Sequence, residues 1–311
     1  MKDITAVGEI LIDLTQTGVN ENGIPVFTAN PGGAPANVAV AAARLGAHTA
    51  FIGKTGDDEL GAFLRGVLEH DHVDCSGLRT GEAVTTMAIV SIDGAGERSF
   101  RFVRGADCQL PPEEIEQSLV TENKFLHFGS VSLTQGPARD GTLFAVRTAR
   151  ESGVLVSYDP NYRPALWRSE AEAIEWMAKP LPLVDVIKLS EEELPLITGT
   201  DELEEGSRRL AEQGISLVLV TLGGKGSFCR WKNECITVPG VSVSIADTNG
   251  AGDTFLGAVL SRLCRRGNRP LEKLELSELS DILQFANWAA AITCSRSGAI
   301  PAMPSLAELK N

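Results

Sequence analysis

The feature that most restricts the fold is a series of short apolar runs, rich in β-branched residues and separated by helix-length stretches. ITAVGEILI (residues 4–12), the strand-to-turn segment from Phe51 to Asp58, KFLHFG (124–129), VLVSY (154–158), LVDVIKL (183–189) and ISLVLV (215–220) are nearly continuous rather than alternating. Runs of this kind suit strands covered on both faces, as in a parallel sheet. Helices are predicted from the Pro31 region to Leu45 with Gly46 as C-cap, from Asp58 to about His70, and from about Pro137 to Glu151. The stretch from Lys124 to Tyr158 therefore reads as strand, helix and parallel strand. The predicted fold is α/β, with three αβα layers around a mostly parallel central sheet. A 311-residue chain that is 43% hydrophobic can bury a large core. Without a Pro/Gly/Ser-rich linker, tandem repeat or low-complexity segment, residues 1–311 read as a single domain.

Charge and termini exclude several classes. A net charge of -13 argues against a nucleic-acid partner, which needs a concentrated basic face. MKDITAVGEILID lacks the basic start, long apolar core and small-residue cleavage site of a signal peptide, and no apolar run reaches membrane-spanning length. A cytoplasmic protein without a membrane partner is expected. Cys75, Cys108, Cys229, Cys235, Cys264 and Cys294 show no CxxC spacing and read as reduced, structural thiols.

The stretch from Asp247 to Phe255, DTNGAGDTF, carries the chemistry. Gly250 and Gly252 permit close backbone approach, and Ala251 adds little bulk. Phe255, Leu256, Val259, Leu260 and Leu263 recur at helical spacing, so a helix should run from near Gly250 towards Arg265. Its free N–H groups and dipole would form an anion site suited to a phosphoryl group. Asp253, in the first turn, should be held ionised by that dipole and able to take a proton from a hydroxyl. Taken alone, the same residues also fit a plain turn and helix start. Asp13, read as ending a central strand, lies where open α/β sheets bind ligands and could hold two hydroxyls. TTMAIVSIDGAGERSFRFVR (85–104) reads as two strands about a hairpin turn at Asp93–Gly96.

DxxGAGD from Asp247 to Asp253, together with PGGAPAN from Pro31 to Asn37, resembles the two signatures of the ribokinase-like family of sugar and nucleoside kinases, and the likeness covers essentially the whole chain. The resemblance implies a small β-sheet lid from about residues 14–30 and 85–106, ATP as phosphoryl donor, and a sugar's primary hydroxyl as acceptor. It makes Asp253 the base and the Gly250, Ala251 and Gly252 amides the phosphoryl stabilisers. Asp13, Gly32, Gly33, Asn37, Arg104, Asn161 and Arg163 would hold the sugar. DPNYRPALW (159–167) looks like bacterial fructokinases and 2-keto-3-deoxygluconate kinases. Where the family carries Asn-x-x-Glu this chain has Ser190 and Glu193; Glu193 would organise Mg²⁺ through water, or the two could be only a capping pair.

TLGGKG (221–226) resembles the nucleotide loop, with Thr221, Gly223 and Gly226 beside ATP, and lacks Walker spacing. Asn287 would reach the adenine. K⁺ would sit between Asp247 and Asn249 on one side and Ser295 and Gly298 on the other. Lys54 reads as a solvated scaffold lysine. Fructose is the expected substrate, ahead of 2-keto-3-deoxygluconate and then ribose or nucleosides. A catalytically silent sugar sensor on the same fold is the non-enzyme alternative. Oligomeric state stays open, with a homodimer through the lid as the candidate assembly.

Overall fold

The computed structural model describes residues 2–92, 98–267 and 271–309, so the hairpin turn expected at Asp93–Gly96 lies outside the described residues. In chain order the elements are β1 (Lys2–Val7), β2 (Leu11–Val19), β3 (Pro25–Gly32), α1 (Ala34–Arg44), β4 (Thr49–Gly56), α2 (Glu59–His70), β5 (Asp74–Gly81), β6 (Met87–Ile92) and β7 (Arg98–Val103). Then follow α3 (Gln117–Thr121), β8 (Asn123–Gly129), α4 (Gly136–Glu151), β9 (Leu155–Asp159), α5 (Glu170–Ala178), β10 (Val186–Ser190), α6 (Glu193–Thr198) and α7 (Leu203–Ala211). The chain ends with β11 (Leu217–Thr221), β12 (Gly226–Trp231), β13 (Glu234–Pro239), α8 (Ala251–Cys264) and α9 (Leu276–Cys294).

Among the described residues, nine strands form the main sheet in the order β13-β12-β11-β10-β9-β8-β1-β4-β5. Pairing is parallel from β11 to β5 and antiparallel only at β11–β12 and β12–β13. Alternate residues of one strand feed two different cores, which is why the runs are apolar throughout. In β11, Val218 and Val220 pack with Ala145, Val146 and Leu210 of α4 and α7, whereas Leu217 and Leu219 pack with Phe255, Leu256 and Leu283 of α8 and α9. Each fully buried aliphatic side chain contributes about 1.5–3 kcal/mol over its exposed state. Strand order reverses about β1, which lies between β8 and β4, and a crevice opens at the carboxyl ends there.

A second sheet, in the order β3-β2-β6-β7, covers that crevice. Its presence corrects one expectation. ITAVGEILI is not a single strand: β1 stops at Val7, the chain turns through Gly8 to Ile10, and β2 enters the second sheet. Asp13 consequently sits inside β2, opposite Asn30 of β3 and Ala88 of β6, rather than at a central strand's end. A glycine between two short apolar segments permits the turn that an uninterrupted hydrophobic count hides.

Arg44 fastens the last turn of α1 to the C-terminal segment. It makes a bidentate pair with Asp71 at 2.7 and 2.9 Å and donates to the carbonyls of Ile300 and Met303. Lys54 is buried instead of solvated, with Nζ 2.6 Å from Glu114, because β4 lies inside the sheet. All six cysteines are free thiols. Among the described residues no helix is long and apolar enough to cross a membrane.

Candidate active site

The glycine-rich stretch folds as a helix start. Gly250 is the N-cap of α8 with φ 75°, and a Cβ there would lie 2.9 Å from the Ala299 methyl carbon. The left-handed backbone and the close neighbour both demand glycine. The first amides of a helix lack intrahelical partners. That of Ala251 bonds back to the Thr248 carbonyl at 3.3 Å, leaving the rest of the turn to face the crevice.

Asp253 is buried one turn in. Two asparagines from distant parts of the chain meet it, one in the first turn of α1 and one in the loop after β9: Asn37 donates to Oδ2 at 2.7 Å and Asn161 to Oδ1 at 3.4 Å. Asn161 holds a left-handed φ of 46°, uncommon outside glycine, in the loop after β9. Burial, followed by the nearby Asp159, pushes the Asp253 carboxyl up to about 6, against the pull of Lys188, Asn37 and Arg163. The helix dipole was expected to lower it. Desolvation outweighs the dipole here, which moves the group towards the range of a useful general base while leaving it mostly ionised at pH 7.

A cavity of about 720 Å³ opens on Asp253 and is lined by Asp13, Gly33, Asn37, Phe102, Asn161 and Arg163, among others. Burial likewise raises Asp13 to about 6, with Arg163 opposing and Asp253 and Asp247 adding to the rise. A Cβ on Gly32 would meet the Asp13 carboxylate at 2.3 Å, so this glycine makes room for the acid rather than for a ligand. A second cavity of about 410 Å³ lies beyond the glycine turn. It is lined by Gly226, Val243, Ile245, Phe255, Asn287 and Cys294, an apolar slot with few polar groups. The two cavities share Thr221, Gly223, Thr248 and Gly252. The glycine turn thus stands between a polar chamber and an apolar one.

Some expected roles are altered by the packing. Arg104 does not line either cavity: the buried Asp107 captures its guanidinium at 2.8 Å, and Thr134 takes another N–H at 3.0 Å. Glu193 spends both oxygens on backbone amides, those of Tyr162 (2.7 Å) and Ser190 (2.8 Å), while Ser190 Oγ accepts from the Glu193 amide. It is a reciprocal cap that also pins the loop carrying Asn161 and Arg163. Asn287 lines the second cavity, yet its amide donates to the carbonyls of Val238 and Pro239. Asp247 bridges the two expected cation segments, accepting from the amides of Asn249 (3.1 Å) and Gly298 (3.2 Å), whereas the Ser295 hydroxyl turns back to Ile292. Among the described residues no three His, Cys, Asp or Glu side chains converge as a metal cage. The carboxylates of the polar cavity that face solvent, Glu191 and Glu192, have the oxygen chemistry to meet a magnesium ion through its waters.

Two buried groups escaped the sequence reading. Lys188 of β10 pairs with Asp159 of β9 at 2.9 Å, both side chains almost inaccessible, directly beneath Gly252. Glu9, between β1 and β2, accepts from the Ala34 amide at 3.0 Å and so caps α1, whose own N-cap, Gly33, has no side chain to offer. Burial pushes Glu9 up to about 8. The signal was present: a charge inside an otherwise apolar run is costly to bury and needs a reason.

The sequence matches the profile of pfkB family carbohydrate kinases over residues 1–306. It is 41% identical over 317 residues to "Probable fructokinase-4" of Arabidopsis thaliana, covering 99% of this chain and 95% of the relative. The crystal structure of a Xylella fastidiosa fructokinase with bound ATP superposes with a TM-score of 0.92 at 32% identity, covering 100% and 98% of the two chains. A double-mutant Vibrio cholerae O395 fructokinase in a fructose, ADP and potassium ion bound form gives a TM-score of 0.87 at 35% identity, covering 100% and 97%. With a signature spanning nearly every residue and a full-length relative at this identity, the chain belongs to the pfkB family of carbohydrate kinases.

Proposed function

We propose that the protein phosphorylates fructose at its primary O6 hydroxyl with ATP, giving fructose 6-phosphate and ADP. One observation carries the reading: a polar chamber and an apolar slot meet at the glycine turn of α8, with Asp253 on the polar side. The apolar slot suits an adenine base, with Thr221, Gly223 and Gly226 along the phosphates. The polar chamber suits a sugar held by Asp13, Asn37, Asn161 and Arg163. Asp253 accepts the O6 proton while the O6–P bond forms. The bond from the γ-phosphorus to the bridging oxygen breaks, and its electron pair leaves on ADP. The first-turn amides of α8 receive the charge on the transferring group.

Magnesium bound with the nucleotide would neutralise phosphate charge, and the exposed Glu191 and Glu192 at the chamber's rim are the carboxylates placed to meet its water shell. For potassium, the Asp247, Asn249 and Gly298 segments form the candidate site, and Ser295 would contribute only through its backbone. The fructokinase names of the relatives and the fructose and ADP in one neighbour support the substrate assignment. A coupled ADP-release assay over a panel of sugars tests it; no turnover on any sugar would support a silent sensor instead.

2-keto-3-deoxygluconate is the second reading, favoured by Arg163 on the chamber wall. A carboxylate clamp would also need Arg104, which Asp107 holds, and Phe102 offers no hydroxyl. A higher kcat/KM for 2-keto-3-deoxygluconate than for fructose would reverse this ranking. We read the whole chain as one domain whose second sheet acts as the lid. Val19, Ile24 and Phe27 stand exposed on that sheet and its β2–β3 turn, consistent with a homodimer through the lid; a monomeric mass by light scattering would oppose this. A cytoplasmic location, where ATP is supplied and thiols stay reduced, completes the reading.

A further inference from the structure

We propose that the buried Lys188–Asp159 pair is a positioning couple: its two opposed charges set the protonation of Asp253 and the positive field under the glycine turn. The inference rests on the kinase reading above and assigns the pair a part in it. Lys188 projects from β10 on the face it shares with Val186, which packs into the core beneath α8. Its ammonium lies 2.9 Å from Asp159 Oδ2 and 2.9 Å from where a Gly252 Cβ would stand, and it reaches the wall of the sugar chamber. Gly252 therefore has a second purpose, since any side chain there would displace the ammonium.

The pair is a poor device for stability. Removing two charges from water carries a large desolvation cost, and apolar replacements of such pairs are often neutral or stabilising. Its location offers a better reason. The chamber is walled by six carboxylates (Glu9, Asp13, Glu191, Glu192, Glu193, Asp253) but, among the described residues, by only two cations, Lys188 and Arg163. An incoming nucleotide adds further negative charge. Arg163 is exposed and screened, whereas the Lys188 charge acts through a low-dielectric interior where electrostatic effects are larger. Burial works against the ammonium, but Asp159, Glu193 and Asp253 outweigh it and keep it protonated. The neighbouring His127 is held neutral by burial and by this ammonium, so it does not compete.

Asp253 is faced by the charged or titratable Asp159, Lys188, Arg163 and Asp13 and by the amides of Asn37 and Asn161. Among them Asp159 and Lys188 act in opposite senses, and this yields a test that a structural pair would fail. Lys188→Met should move the acidic limb of the kcat/KM–pH profile upward by about one pH unit or more, and Asp159→Asn should move it downward. In the double variant, where neither charge is buried alone, the limb should lie between those of the single variants. Its kcat should stay about tenfold or more below wild type, because the field under the turn is gone. Lys188→Arg, which keeps the charge, should recover the wild-type limb. Unchanged acidic limbs with a lowered Tm, or shifts of the same sign in both single variants, would overturn the proposal. If Lys188→Met does not fold, Asp159→Asn and the double variant decide by the same criteria. Wild-type protein inactive on every sugar would refute the kinase reading, whereas an active wild type with immovable limbs would refute this inference alone.

Discussion

Replacing Asp253 by Asn separates chemistry from stability in opposite directions. The side chains are isosteric, and the new Oδ1 can still accept from Asn37, whose bond to Asp253 is 2.7 Å. Loss of a positioned base should lower turnover about 10²- to 10⁴-fold. Folding stability should rise. A carboxyl held at about 6 rather than 3.8 is penalised in the folded state by roughly 3 kcal/mol once ionised, at about 1.36 kcal/mol per pH unit. Because the folded-state value is the higher one, the penalty is absent below 3.8, grows as pH rises to 6, and is complete above it. Asparagine removes the penalty, so the variant should melt about 4–6 °C above wild type at pH 8, at about 2 °C per kcal/mol for a chain of this size. The gap should close near pH 4. Coupled ADP release gives the rate, and ligand-free calorimetry between pH 4 and 8.5 gives the melting curve. Near-wild-type turnover would remove Asp253 as base. A variant less stable at pH 8 would show that the carboxylate is compensated in its pocket and that desolvation does not dominate.

Arg44→Ala should cost about 2–4 kcal/mol, because Asp71 and two carbonyls lose a shared donor, and chemical denaturation should show this without a change in KM for fructose. Gly250→Ala should lose about 1–2 kcal/mol to its left-handed φ and more to the Ala299 contact, with a fall in kcat; unchanged kcat would mean that the turn tolerates displacement. Potassium should stimulate the enzyme more than sodium at matched ionic strength, since a cation beside Asp247 would strengthen the positive field at the glycine turn. Equal rates would remove the cation site.

The layered α/β fold was legible because burying a sheet on both faces demands apolar runs, and a chain cannot hide that demand. The runs at 124–129, 154–158 and 215–220 became β8, β9 and β11, and the DTNGAGDTF stretch became the start of α8 as its spacing implied. Local chemistry dictated those elements. The site was legible only as residue types, since which groups face one another depends on how distant segments fold back. Asn37 and Asp253 are 216 residues apart and share a hydrogen bond, whereas Arg104 finds Asp107 three residues on and turns away from the chamber. The break at Gly8, which sends Asp13 into the second sheet, depends on partners as far away as Asn30 and Ala88. Charge state was decided last and by tertiary structure alone. Asp253 is raised by burial that only the assembled crevice provides, and Lys188 keeps its proton only because β9 sets Asp159 beside it. Sequence supplies the ionisable groups, but desolvation and charge pairing exist only once the layers have closed around them.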